Sequence, residues 1–437
     1  VMAMDKIKQV LSQNTKIQAL ILVIFVALTS LSVYLTAKSV TAFLLLLASL
    51  LMLYYTSFSN GVKWIIGGAL LILIIPFATS GGAAYDSYME VATQSGIYIA
   101  MALGLNIVVG FAGLLDLGFV AFFAIGAYTY GIFSTAQANH FIPGDIFPLS
   151  GSTFWLFIFI GGFMAALFGV LLGLPVLRVK GDYLAIVTLG FGEMIRIIFN
   201  NLEKPVNITN GAMGISSIKP PNLFGYEFTH PHQFYFIVIA ILAFVIFGVR
   251  RFEHSRLGRS WKAVRENEIA AQSMGIPLIR TKLTAFAVGA SFSGMMGVVF
   301  AAKQTFIDPS SFTLLESTTI LVMVVLGGMG SVPGVILGAA LVTILNLQVL
   351  TEFTNWLNQL TLQGVVHVPN ALSPSKMQRF IFGAILILIA IFKSNGLIPA
   401  KNRKVNEKQI QDRISSASAS SLGSAQQVNQ QSGGIAP

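Results

Sequence analysis

The chain has 437 residues, 55% of them hydrophobic and 10% charged, with 27 Lys and Arg against 17 Asp and Glu. Soluble domains carry about 25% charged residues, so most of this length must face something other than water. It has no cysteine, which excludes disulfide frameworks, zinc–thiolate sites and thiol catalysis. The net charge of +10 does not mark a nucleic-acid binder, because the basic residues gather in short loops between apolar runs, where they report membrane topology.

The first apolar run, 17–37 between Lys16 and Lys38, matches the roughly 20 residues that span hydrocarbon. It exceeds the roughly 7–15 residues of a signal-peptide core, so it is expected to stay as a first transmembrane helix. Further apolar segments fall at 39–62, 64–83, 89–109, 117–134, 153–174, 183–200, 233–249, 283–301, 314–328, 333–350 and 379–395. The expected fold is an all-α polytopic membrane protein, a bundle of about nine to twelve transmembrane segments with some broken or short helices.

Charge placement orients the bundle. The loop 250–282 holds eight basic residues against three carboxylates, and Lys401, Arg403, Lys404, Lys408 and Arg413 follow the last segment. Alternating twelve segments from a cytoplasmic N-terminus (Lys6, Lys8, Lys16) puts both basic regions inside, together with Arg178 and Lys180. Asp86, Glu90 and Asp145 then fall outside, and both termini are cytoplasmic. Lys38 and Lys303 are exceptions that could snorkel. The Pro-containing stretches at about 201–232 and 351–378 read as ordered irregular loops. Residues 402–437, rich in Ser, Gln, Asn and Gly, cannot bury a core and read as a disordered tail.

The dipeptide Gly-Lys, which a P-loop requires, is missing from the chain, and so are GxSxG and HExxH. No catalytic residue and no metal ligand set is proposed; His230 and His232, flanking Pro231, read as solvated loop residues. The loop Arg256–Pro277 is the most informative segment. Trp261 and Val264 share a helical face, charges line the others, and Gly275 with Pro277 supplies a stop. One reading is a basic loop lying at the headgroups. The other is a short helix that enters a groove of an ATPase, which the small residues Ala270, Ala271 and Gly275 favour.

That loop resembles the EAA loop of ABC-transporter permeases, although Ile269 stands where the first Glu would be and Glu268 lies one position earlier. The wider chain resembles the LivM-like permeases of branched-chain amino acid ABC importers. The resemblance is carried by Gly110–Gly118, Val176–Arg196, Arg256–Gly275, Lys282-Leu-Thr-Ala-Phe and Val325–Ser331. It implies N-terminal membrane helices at 1–88, a permease core at 89–395 with a cytoplasmic coupling loop at 250–282, and a bacterial inner-membrane location. The implied cargo is leucine, isoleucine and valine. Implied partners are a second homologous permease as heterodimer, two cytoplasmic ABC ATPases that use ATP and Mg, and a periplasmic binding protein; no cofactor is expected on this chain itself. The expected ATPase-coupling residues are Arg256, Gly258, Arg259, Trp261, Arg265, Glu266, Glu268, Ala270, Ala271 and Gly275.

Two Gly-rich breaks, Gly110–Gly118 around Asp116 and Gly327–Gly334, lie at membrane depth by hydropathy. Either they line the substrate path as broken helices do, or they are tight turns at the cytoplasmic surface; both satisfy the backbone. Asp116, Thr188, Glu193 and Arg196 are the candidates for the translocation path, with a structural Glu193–Arg196 pair at i,i+3 as the competing role. The small-residue faces Ala165/Gly169/Gly173 and Gly289/Ser293/Gly297 suit close helix packing, and either could form the seam with a second permease. A urea or short-amide permease is the nearest alternative. An ion-driven secondary transporter fits less well, since few ionisable residues sit at mid-membrane.

Overall fold

The computed structural model describes residues 15–35, 40–56, 58–79, 86–143, 146–176, 179, 182–363 and scattered positions from 377 to 399. Lys6, Lys8, Lys38, Asp145, Arg178, Lys180, most of the expected segment at 379–395 and the tail 402–437 lie outside the described residues. Among the described residues, nine helices are long and apolar enough to cross a membrane. A tenth apolar helix, Val120–Phe133, is shorter.

The first three helices are α1 (Thr15–Leu35), α2 (Val40–Tyr55) and α3 (Asn60–Ala69), the last continuing through a π-turn, Leu70–Ile74, to Ile75–Ala78. Val33, Phe43, Leu46 and Ile75 pack with Tyr88, Met89 and Tyr235, which joins them to the rest of the bundle. A π-turn opens the hydrogen-bond ladder, and in hydrocarbon a freed carbonyl needs a protein donor. Tyr235 supplies it, donating from its hydroxyl to Leu71 O at 2.9 Å.

Next come α4 (Asp86–Leu105, ending in a π-turn at Asn106–Phe111), α5 (Val120–Phe133), α6 (Phe154–Val176), α7 (Asp182–Asn201) and α8 (Pro231–Glu253). Two short helices follow, α9 (Arg256–Glu266) and α10 (Glu268–Ser273), then the long α11 (Leu278–Gln304). After it come α12 (Leu314–Gly327), α13 (Val332–Ile344) and, past a π-turn at Leu345–Val349, α14 (Leu350–Leu362). Helix α14 corrects the expectation of an irregular loop from 351: polar residues such as Glu352, Asn355 and Asn358 lower its hydropathy without stopping helical winding.

Helix α11 is the centre of the bundle. A side chain on Gly126 of α5 would sit 2.0 Å from Gly294 O, and Ala165 of α6 meets the other side of the same glycine. Three backbones therefore approach at one level, which only small residues permit. Both small-residue faces singled out above are spent on such internal packing. Gly169 and Gly173 lie against Phe286, Ala290 and Leu283, while Gly289 lies against Gly104 and Gly297 against Phe123 and Ala127.

The two ends differ in chemistry. One end carries the basic helices α9 and α10. At the other, Tyr130 donates to Lys219 O at 2.7 Å, and the strand pair β1 (Ile215–Ser216) and β4 (Phe306–Ile307) ties the 202–230 segment to the end of α11. A hairpin of β2 (Asn222–Leu223) and β3 (Tyr226–Glu227) completes that segment. Lys303 does not snorkel: its buried amine pairs with Glu90 and also donates to Gln94 at 3.1 Å. His230 is not free in a loop either, since it forms the N-terminal capping box of α8 with Gln233.

Candidate functional site

Helices α9 and α10 form a bracket built from the local sequence. Ser255 caps α9 by accepting from Gly258 N at 3.2 Å. Asn267 then breaks the helix in extended backbone and caps α10, accepting from Ile269 N and Ala270 N at 3.0 Å each. Gly275, at φ +81°, ends α10 in a Schellman turn: Gly275 N donates to Gln272 O at 2.9 Å and Ile276 N to Ala271 O at 3.1 Å.

The expected coupling residues divide by what they touch. Trp261 is fully buried, donating from its indole to Thr281 O at 2.9 Å and Thr284 Oγ1 at 3.3 Å. Val264 and Ala271 are also buried, and Glu268 holds the buried Lys282 amine at 2.6 Å. Gly258 is buried where α9 folds back on the last carbonyls of α8. These residues anchor the bracket to α8 and α11. Arg256, Arg259, Arg265, Glu266, Ala270 and Gly275 are exposed, with Arg259 bonded to His254 O at 3.2 Å. Between the charges stand Ile269 and Met274, at 75% and 83% exposure. They are the apolar knobs that a pattern search passes over, because each is one isolated residue in a polar loop.

The bracket reaches directly into the membrane-depth breaks. Arg265 donates to Gly110 O in the π-turn of α4, and its stem crosses Gly113, where a side chain would meet Arg265 Cγ at 2.8 Å and the φ of +72° is itself strained for any other residue. Lys262 lies 5.4 Å from the Phe111 ring. On the far side of the same turn, Asn106 Oδ1 accepts from Gly330 N at 2.8 Å, so the two Gly-rich breaks touch. The second is capped by the returning chain: Leu397 N and Ile398 N donate to Leu326 O and Gly327 O at 2.9 and 3.1 Å.

From Gly113 the chain runs without helix to the start of α5 and meets α7 partway along. Leu117 N donates to Thr188 Oγ1 at 3.0 Å, and a side chain on Gly118 would collide with Thr188 O at 2.0 Å. Asp116 is fully buried, its Oδ1 accepting from Gly118 N at 2.9 Å, with its Oδ2 unpartnered among the described residues. Asp116 and Thr188 thus brace a non-helical strut within the chain. Glu193 and Arg196 pair through Nε and Nη2 at 2.8 Å each, with side chains 31% and 34% exposed. Glu193 borders a narrow crevice with Leu117, Leu189, Leu314 and Ser317. At the end opposite the bracket lies a polar cavity of about 360 Å³, bordered by Gln137, His140, Asn210, Ser217 and Lys219 among others.

A multi-helix bundle with broken helices at membrane depth and a basic helical bracket at one end belongs to the class of polytopic transport subunits. The chain belongs to the family described as "Branched-chain amino acid transport system / permease component", which matches residues 87–390. It is 39% identical over 357 residues to the high-affinity branched-chain amino acid transport system permease protein LivM of Escherichia coli K12, covering 76% of this chain and 74% of that one. A probable LivM of Methanocaldococcus jannaschii is 26% identical over 331 residues, or 70% and 91% of the two chains. The high-affinity branched-chain amino acid transport system permease protein LivH of Escherichia coli K12 is 23% identical over 270 residues, 58% and 81% of the two chains. No solved structure matches.

Proposed function

We propose that this chain is a membrane-spanning subunit of an ATP-driven importer in a bacterial inner membrane, passing leucine, isoleucine and valine across the bilayer. The observation that carries the energy source is the α9–α10 bracket, rigidly anchored by Trp261 and offering Ile269 and Met274 among exposed charges. An apolar tip on a short capped helix is the shape that a groove on a soluble partner accepts. In this reading the partner is a pair of ABC ATPases that bind and hydrolyse ATP with Mg, and this chain binds neither. The basic residues around the bracket support a cytoplasmic position for it by the positive-inside rule, and in this reading both chain termini lie on that side. The opposite end, with its polar cavity, then receives amino acid from a periplasmic binding protein. A second, homologous permease completes the pore. The cargo rests on the names of the relatives.

The test is uptake by the co-expressed complex in proteoliposomes, with labelled leucine and labelled urea as competing cargoes. Leucine uptake driven by internal ATP is expected, and the double variant Ile269→Asp, Met274→Asp should lose the co-purifying ATPase while the permease stays folded. ATP hydrolysis by the isolated chain, or uptake of urea alone, would refute the proposal.

A further inference from the structure

Helix α7 presents an outward stripe unlike those of its neighbours. The exposed large hydrophobics of α6 are Leu156, Phe159, Phe163, Leu167, Leu171 and Leu174, and those of α1 are aliphatic except for Tyr34 near its end. Such faces suit lipid. On α7 the outward stripe runs Tyr183, Ile186, Gly190, Met194 and Ile197, spaced three and four residues apart, with the Glu193–Arg196 pair along its margin.

Three observations then converge. Glu193 lies eleven residues beyond the start of α7 at Asp182, about 16 Å along the axis at about 1.5 Å per residue. That is close to the middle of a hydrocarbon layer about 30 Å thick. Charged groups at that depth face protein or a water-filled cavity. The pair also has bonding capacity to spare: both contacts fall on Glu193 Oε2, leaving Oε1 and the Arg196 Nη1 without a partner among the described residues. Finally, a side chain on Gly190 would meet nothing within 4 Å, so a neighbouring backbone has room to come close. The faces Ala165/Gly169/Gly173 and Gly289/Ser293/Gly297 are already used inside the chain.

We propose that the α7 stripe centred on Gly190 is the seam with the second permease subunit, a homologue of this chain, and that Glu193 and Arg196 bond across it. This rests on the importer reading above. The pair then also stands beside the crevice at Leu189 and Ser317, so the seam borders the route between the two subunits.

The chain lacks cysteine, so single cysteines can be introduced at Ile186, Gly190 and Ile197 on α7, and at Phe163 and Leu167 on α6. Each is labelled with benzophenone maleimide in the membrane-embedded complex, irradiated, and its adducts identified by mass spectrometry. Adducts to a permease homologous to this chain are expected from the α7 positions and not from α6. Adducts to lipid alone from α7, or permease adducts from α6 with α7 silent, would overturn the seam, and α7 adducts to a second copy of this chain would overturn the heterologous partner. The double variant Glu193→Gln, Arg196→Gln should lower retention of the second permease by about 3- to 15-fold, and Arg196→Lys should restore most of it; unchanged retention counts against the bonding. Leucine uptake is measured on the same samples. Transport without α7 adducts sinks the seam alone, whereas α7 adducts without transport sink the importer reading alone.

Discussion

Arg265 has an unusual position: its helix lies on the surface, yet its guanidinium ends inside a π-turn of α4. An arginine there fixes direction as well as charge, because its planar fork holds one carbonyl while its stem fills the space over Gly113. Arg265→Ala is expected to leave the ATPase bound, since the exposed knobs and the Trp261 anchor are untouched. ATP hydrolysis should continue while leucine uptake per ATP falls about tenfold, the loss of roughly one charge-assisted hydrogen bond of coupling. Arg265→Lys retains a donor of shorter reach and should recover part of the ratio. Parallel loss of hydrolysis and uptake would show that Arg265 only holds the ATPase in place.

Between elements, the telling part is the non-helical run from Gly113 to Gly118. It starts at the bracket and ends on α7, so displacement of α9 has a direct mechanical line to the middle of the bundle. Thr188 is its terminal fastening. Thr188→Val keeps the volume but leaves the Leu117 N–H without its acceptor, a loss of about 1–3 kcal/mol for a buried donor, read as a lowered melting temperature in detergent. The apolar runs, the Gly breaks, the helical bracket and its Gly275 stop were all legible in the sequence, because each is local: a period, a cap or a conformational requirement. The different roles of Asp116 and Glu193 were not. Both are carboxylates in apolar context, and only the path of the strut against α7 buries one and leaves the other half-open. Nor could spacing tell that Ala165, Gly169 and Gly173 pack within the chain, since a small-residue face looks the same whichever helix it meets.

Across the whole molecule, long-range pairs close the bundle at the end away from the bracket. Lys303 and Glu90 are 213 residues apart, a separation no local pattern reveals. Their exposures are unequal, 4% for Lys303 against 47% for Glu90, so the two halves of the pair should differ in a stability test. Glu90→Ala strands a buried ammonium with Gln94 as its remaining partner among the described residues. Removing one partner of a fully buried pair costs about 3–5 kcal/mol, and the half-exposed partner here lowers that to about 1–3 kcal/mol. Lys303→Met strands a carboxylate that water still reaches, and should cost under about 1 kcal/mol. Thermal denaturation of the purified complex should therefore rank Glu90→Ala below Lys303→Met; the opposite order would mean that packing of the lysine stem dominates. Helix α14 is hidden from a hydropathy window for a different reason: it continues α13 through the π-turn at Leu345–Val349, while its polar residues lower the local hydropathy.

The π-turn at Asn106–Phe111 has a consequence for insertions and deletions in this chain. A π-turn holds one more residue than α-helical winding would over the same height. Removing a single residue there would let α4 wind evenly to its end, with no charge, apolar contact or glycine altered. Gly110 O would then be returned to its own helix, and Arg265 would point at a closed surface. The receptacle for Arg265 is thus a matter of residue count: it exists because α4 is one residue too long for its own thread.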